Sequence, residues 1–353
     1  MRIGIITQPL NANYGGILQN YALQQVLLRM GHSPVTIDLL PDKHLGDRIK
    51  HLVWSFLHFK QPNKCFFLYG RSGFAQRFIR KNIVATHIVQ KYRAGTVKFY
   101  RLQALIAGSD QIWRPKYNSY PEDMFFRFAE KLPVKKIVYG ASFGTDEWEY
   151  SPKMTEDCRT LARRIAAVSV REKSGIALCR HHFGIEAQLV LDPTLLLDTA
   201  DYEQLCAHIP HSEQAFLAAY LLDVDEQITA EIEKTGKSLN LPIRVFSSEP
   251  DASLTVEGWL AMFRDAKYVI TDSFHGTVFS IIFNKPFVAI GNCSRGMSRF
   301  HSLLEQFGLE DRLSEDFSSE VLQKPIQWAR INSLRHILKE KSIRFLENGL
   351  RCG

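Results

Sequence analysis

The strongest constraint on this chain is a repeated alternation of short apolar runs with helical segments, joined through polar or glycine-containing loops. Runs of this kind read as strands buried on both faces, and helices between them make the sheet parallel. A first set covers residues 3–7, 35–39, 104–107, 136–139, 166–170 and 188–191. A second covers 215–222, 243–247, 268–271 and 287–290. Helical patterns fall at 16–30, closed by Gly31, then at 225–239, at 256–264, from His275 onward, and at 327–348. At roughly 100–200 residues per domain, 353 residues make two domains. The expectation is an α/β protein of two Rossmann-like domains, 1–200 and 201–326, with 198–213 as linker and a terminal helix in 327–353 packing back across both. Two such domains facing each other place ligands in the cleft between them, at the carboxyl ends of the strands.

Composition removes several classes. Hydrophobic residues make up 45% and charged residues 23%, which excludes global disorder. No apolar run approaches the roughly 20 residues of a membrane span. The opening MRIGIITQPL reads as a strand rather than a signal peptide. Six cysteines without CxxC spacing suit a reducing compartment, so a cytoplasmic protein is expected. Cys206, His208 and His211 lack a suitably spaced fourth ligand, and no metal is expected. The net charge of +7 is unevenly spread. Residues 42–101 hold thirteen Lys and Arg against two acids, interleaved with Trp54, Phe56, Phe59, Phe66, Phe67, Tyr69, Phe74 and Phe78. A basic aromatic segment suits an anionic membrane surface, a nucleic acid or an anionic substrate, and a solvated amphipathic insert has the same composition.

The loops after the strands carry the chemistry. In Thr271-Asp272-Ser273-Phe274-His275-Gly276-Thr277, a strand runs straight into a helix, with Ser273 or Asp272 placed to cap it. Gly276 would let a ligand approach the backbone, and the helix N-terminus suits phosphate. His275 stands where an acid or base is wanted. From Ser273 to Leu304 there is no Asp or Glu, while Lys285, Arg295 and Arg299 are present, as a polyanion site requires. In the first domain, Asn13-Tyr14-Gly15-Gly16, Gly108-Ser109-Asp110-Gln111-Ile112-Trp113, Gly140-Ala141-Ser142-Phe143-Gly144 and Val170-Arg171-Glu172 each follow a strand. Asn, Asp, Gln and Trp suit a sugar, and Arg171 suits an anion or an ion pair with Glu172 or Asp192. Gly140–Gly144 matches the GxSxG of hydrolase elbows, but no helix follows Ser142 directly, which argues against a nucleophile. Neither GxGxxG, GxxxxGK nor HExxH occurs.

Taken in order, these segments resemble the polysaccharide pyruvyl transferase family. The matching elements run from Asn13-Tyr14-Gly15-Gly16-Ile17-Leu18-Gln19-Asn20-Tyr21-Ala22-Leu23-Gln24 and Gly108–Trp113 through Ala141–Gly144, Val168–Glu172 and Asp192-Pro193-Thr194-Leu195. They end with Thr271–Gly276 and Asn284-Lys285-Pro286-Phe287. The resemblance implies a GT-B-like pair of domains and transfer of a pyruvyl group from phosphoenolpyruvate to two hydroxyls of a sugar, giving a cyclic ketal without a cofactor. It casts His275 as general acid and Asp110 as a catalytic carboxylate. Ser273, Gly276, Thr277, Lys285, Arg295 and Arg299 then bind the donor from the second domain, joined by Arg171 of the first. Asn13, Tyr14, Gln111, Trp113 and Ser142 face the acceptor from the first domain. The sugar, its hydroxyl pair and the oligomeric state stay open, and the basic stretch would suit a lipid-linked acceptor at an anionic inner leaflet.

Two rival classes use the same features. A glycosyltransferase shares the scaffold with a nucleotide-sugar donor, although the acid-free stretch leaves no carboxylate there for the ribose. A non-catalytic protein binding an anionic surface rests on residues 42–101 alone, with nucleic acid not expected as the partner.

Overall fold

The computed structural model describes residues 1–11, 13–40, 71, 73–118, 120–223, 226–247, 254–291, 296–314 and 318–351. Residues 42–70 of the basic aromatic segment, and Arg295, lie outside them.

The apolar runs form two parallel sheets. The first holds β1 (Arg2–Ile6), β2 (Ser33–Thr36), β3 (Ala104–Ala107), β4 (Lys135–Ala141), β5 (Ala167–Val170) and β6 (Gln188–Leu189) in the order β2-β1-β3-β4-β5-β6. The second holds β7 (Leu217–Tyr220), β8 (Ile243–Phe246), β9 (Tyr268–Thr271) and β10 (Phe287–Ala289) in the order β10-β9-β7-β8. Every strand pair is parallel. Strand order reverses between β1 and β3 in the first sheet and between β7 and β9 in the second. At such a reversal the connecting helices leave toward opposite faces, which opens a crevice beyond the carboxyl ends. Each sheet therefore has its own crevice, and the two face each other.

The helix Tyr14–Arg29 holds the halves together. Ile17, Leu18, Leu23 and Leu27 belong to an apolar cluster that also takes in Trp259, Phe263 and Phe279 of the second half. Tyr14 stacks on Trp259 at 5.5 Å, and its hydroxyl donates to the Leu254 carbonyl at 2.8 Å. Burying each large side chain of this kind stabilises by about 1.5–3 kcal/mol. The helix Trp328–Arg351 returns to the first sheet. There Ser342 Oγ accepts from the Leu191 amide, and Phe345 lies 6.1 Å from Tyr139.

Residues 198–213, expected as linker, contain the helix Thr199–Leu205. A capping box of Asp198 and Asp201 opens it, and Tyr202 and Cys206, four residues apart, are buried beneath it. Among the described residues no helix is long and apolar enough to cross a membrane.

Candidate functional site

The paired crevices form one cleft of about 300 Å³. From the first sheet it is lined by Asn13 after β1 and by Asp110, Gln111 and Tyr117 after β3. From the second it is lined by Tyr220 and Leu222 at the end of β7, and by Asp272, Ser273, Phe274 and His275 after β9. Arg299 closes it from the helix Ser298–Phe307.

Local chemistry fixes both lips. Asn13 caps the first helix, its Oδ1 accepting from the Gly16 amide at 3.1 Å. Gln19, one turn on, donates to Thr7 Oγ1 and accepts from the Ser109 amide, so it ties the ends of β1 and β3 together. Ser273, not Asp272, caps the helix Phe274–Ile282. The Asp272 carboxylate instead accepts from the amides of Leu222 and Asp223, at 2.7 and 2.9 Å, and holds the loop after β7. No described residue accepts from the Phe274 and His275 amides, which leaves two donors at the positive end of that helix.

His275 sits between the domains. It is buried, and among the described residues its Nε2 has no hydrogen-bond partner and its nearest carboxylate oxygen, on Asp192, is 3.8 Å away. On its other side the ring rests on Gly15, where a Cβ would come within 2.1 Å of Cγ and Nδ1. Burial pushes its pKa below the ordinary value, and Arg171 and Arg299 push the same way, against Asp192 and Asp110. The imidazole therefore rests neutral, although it has acidic neighbours.

A buried ion network lies behind it. Arg171 donates to Asp192 at 2.6 Å and to Asp110 at 2.9 Å. Burial alone would raise the Asp110 pKa, but Arg171, Arg299 and the hydrogen bond from the Gln111 amide outweigh it, and Asp110 stays charged below the ordinary carboxylate value. Arg299 is held down to about 10 by burial and by the like charge of Arg171. Both guanidiniums face the Phe274 ring, at 4.5 and 5.6 Å. An anion entering beside Arg299 would relieve that repulsion.

The cleft thus gathers Asn13, Asp110, Gln111, Ser273, His275 and Arg299, and other expected residues stand elsewhere. Trp113 is fully buried, stacked on Phe125 at 4.7 Å, and cannot be a sugar platform. Tyr14 is buried in the interdomain stack rather than open to a sugar. Ser142 is buried, its Oγ accepting from the Gly144 amide, which removes it both as acceptor contact and as nucleophile. Thr277 turns its hydroxyl back to the Ser273 carbonyl. Gly276 lets the helix close on Thr271, whose Oγ1 would lie 2.2 Å from a Cβ there, so its missing side chain serves packing and not ligand approach. Lys285 lies past the far end of that helix, its charge acting with Asp265 and Arg264. Arg171 does not line the cleft; it holds Asp110 and Asp192. Tyr117, Tyr220 and Asp192 were not anticipated as site residues. Asp192 had its signal in Asp192-Pro193-Thr194, where the carboxylate caps the turn it opens.

A family profile described as polysaccharide pyruvyl transferase matches residues 13–294. No curated protein matches the chain significantly by sequence. Among solved structures, UDP-GlcNAc 2-epimerase from Methanocaldococcus jannaschii aligns at a TM-score of 0.53 and 10% identity, over 96% of this chain and 93% of that one. UDP-GlcNAc 2-epimerase from Neisseria meningitidis bound to UDP-GlcNAc aligns at 0.52 and 7% identity, over 99% of each chain. Likeness at such identities concerns the fold, and that fold is the GT-B-like pair of domains around a cleft.

Proposed function

The chain belongs to the polysaccharide pyruvyl transferase family, a transferase family with polysaccharide acceptors, and on that premise we propose that it moves the pyruvyl group of phosphoenolpyruvate onto two hydroxyls of a sugar as a ketal. The observation that carries this reading is the buried, neutral His275 with an unpartnered Nε2 beside the charge-strained Arg299. Phosphoenolpyruvate brings a carboxylate and a phosphate. Set against Arg299 and the amides of Phe274 and His275, those charges relieve the Arg171–Arg299 repulsion and raise the His275 pKa. The donor thereby loads its own acid.

His275 then protonates the methylene carbon, and the oxocarbenium-like C2 is attacked by the first hydroxyl, which loses its proton. The C2–O bond to phosphate breaks, and the second hydroxyl closes the ketal with loss of its proton. Of the two hydroxyl protons released, one restores His275, which has given its own to the new methyl group, and the other departs on phosphate, which leaves as hydrogen phosphate. Donor charge enters from the second domain's side of the cleft, and Asn13, Gln111 and Tyr117 receive the sugar from the first domain's side. Asp110, charged and already accepting from Arg171 and the Gln111 amide, positions this arrangement rather than acting as base. The volume of about 300 Å³ suits a three-carbon donor and sits at the small end for ligand sites. No cofactor is needed, since the donor carries its own leaving group.

Thermal unfolding tests the donor. Phosphoenolpyruvate at about 100 times its dissociation constant should add roughly 2.7 kcal/mol of stability, a rise of several degrees. Phosphate, pyruvate and nucleotide sugars should do less. Stabilisation by a nucleotide sugar in place of phosphoenolpyruvate would make the protein a glycosyltransferase and end this reading.

A further inference from the structure

Residues 71–101 contain eight Lys and Arg and no Asp or Glu. Arg71 is half-buried and paired with Asp38, and the other seven, from Arg77 to Arg101, are exposed. The stretch wraps the β2 edge of the first sheet. The helix Gly73–Asn82 lies on one face, where Phe78 meets Tyr21. The chain then runs along β2, bridging Thr36 to Ala85 and Leu39 to Val89. The helix Ala94–Phe99 lies on the other face, with Val97 in the apolar cluster of Leu105 and Trp113. Between the cations stand three exposed apolar side chains, Val84 at 57%, Ile88 at 54% and Phe99 at 74%. Phe99 meets His87 edge-on at 6.1 Å.

We propose that this edge docks on an anionic lipid surface. A soluble polyanion would account for the cations alone. Apolar side chains standing among them gain only where a hydrocarbon boundary lies beneath the headgroups, and that combination defines an interfacial surface. The edge also leads to the cleft. Lys91 lies over the Tyr120 ring at 5.7 Å, and Tyr117, three residues before, lines the cleft. A sugar carried on a lipid would be presented there, a step that alone rests on the reaction proposed above.

Sedimentation of the whole chain with vesicles tests the docking without any turnover. Binding is expected to vesicles of phosphatidylcholine with phosphatidylglycerol, not to phosphatidylcholine alone, and it should fall at high salt. At roughly fivefold per basic side chain, R77Q/R80Q/K81Q should lower partitioning about 100-fold. Phe99→Ser, which removes no charge, should lower it roughly tenfold. Unchanged melting temperatures establish that both variants are folded. The proposal fails if the wild type ignores the anionic vesicles, or if Phe99→Ser sediments like the wild type. Retention on a soluble acidic polysaccharide without vesicle binding would assign the edge to a glycan and overturn it equally.

Discussion

Gly15→Ala tests whether the His275 imidazole, the acid proposed above, is placed by the backbone of the opposite domain. The new Cβ would lie 2.1 Å from His275 Cγ and Nδ1, whereas an ordinary contact begins near 3.4 Å. The ring must retreat by the difference, more than 1 Å, and it is buried, with Asp192 3.8 Å from its Nε2 and the Phe274 ring edge-on at 5.3 Å. A displacement of that size in a positioned catalytic group costs about 100-fold in rate. The stability effect is smaller. Overpacking costs about 1–3 kcal/mol, and replacing a helical glycine by alanine returns about 0.8–1.0 kcal/mol. Gly16→Ala is the control, since its Cβ would meet Asn13 at 3.4 Å. It should keep its turnover and melt slightly higher. The measurements are kcat/KM with phosphoenolpyruvate and the melting temperature of each variant. If Gly15→Ala turned over within threefold of the wild type, contact with Gly15 would not be what places His275.

Four further outcomes follow from the charges. Arg171→Met leaves Asp110 and Asp192 buried without their shared cation and should destabilise by about 3–5 kcal/mol in urea unfolding; a loss under about 1 kcal/mol would mean the bridge is not structural. Arg299→Gln should weaken phosphoenolpyruvate binding roughly 10–100-fold, as a charged hydrogen bond of about 1.5–3 kcal/mol is lost, yet leave stability equal or higher because repulsion with Arg171 is gone. A fall in stability with unchanged affinity would contradict both parts. The imidazole of His275 titrates near 6.5 when unfolded and lower when folded, so below pH 6.5 the unfolded state holds more protons and stability drops. His275→Asn should remove that contribution, and an identical slope in both proteins from pH 7.5 to 5 would exclude it. At neutral pH, donor binding should take up part of a proton, visible by calorimetry in two buffers of unlike ionisation enthalpy.

The strands were legible because a strand buried on both faces must be apolar throughout, as in β3, where all four residues are buried. The location of the site was legible for a related reason. Loops at carboxyl ends hold the polar residues that the strands exclude. Roles within those loops were not, because composition gives a side chain's chemistry and not its direction. Trp113 has the ring a sugar platform needs, but Phe125 and Phe183, distant in sequence, enclose it. Thr199–Leu205 read as linker because its buried Tyr202 and Cys206 occupy single turns among polar residues, too sparse a period to mark a helix.

The family motifs divide along the same line. Of the residues from Asn13 to Gln24, only Asn13 lines the cleft. Gly15 seats the imidazole, and Gln19 fastens β1 to β3. Gln24 ties the helix to Thr36 and Val84. A segment that reads as a binding motif is therefore mostly the fixture that sets the distance between two crevices. Tyr14 stacked on Trp259, Gly15 under His275 and the Lys173 amide donating to Ser302 Oγ bind the two halves together through both packing and hydrogen bonding. Wide hinge opening would break this core, so the cleft should be entered largely preformed, with the donor's charge, rather than domain closure, switching His275 to its acid form.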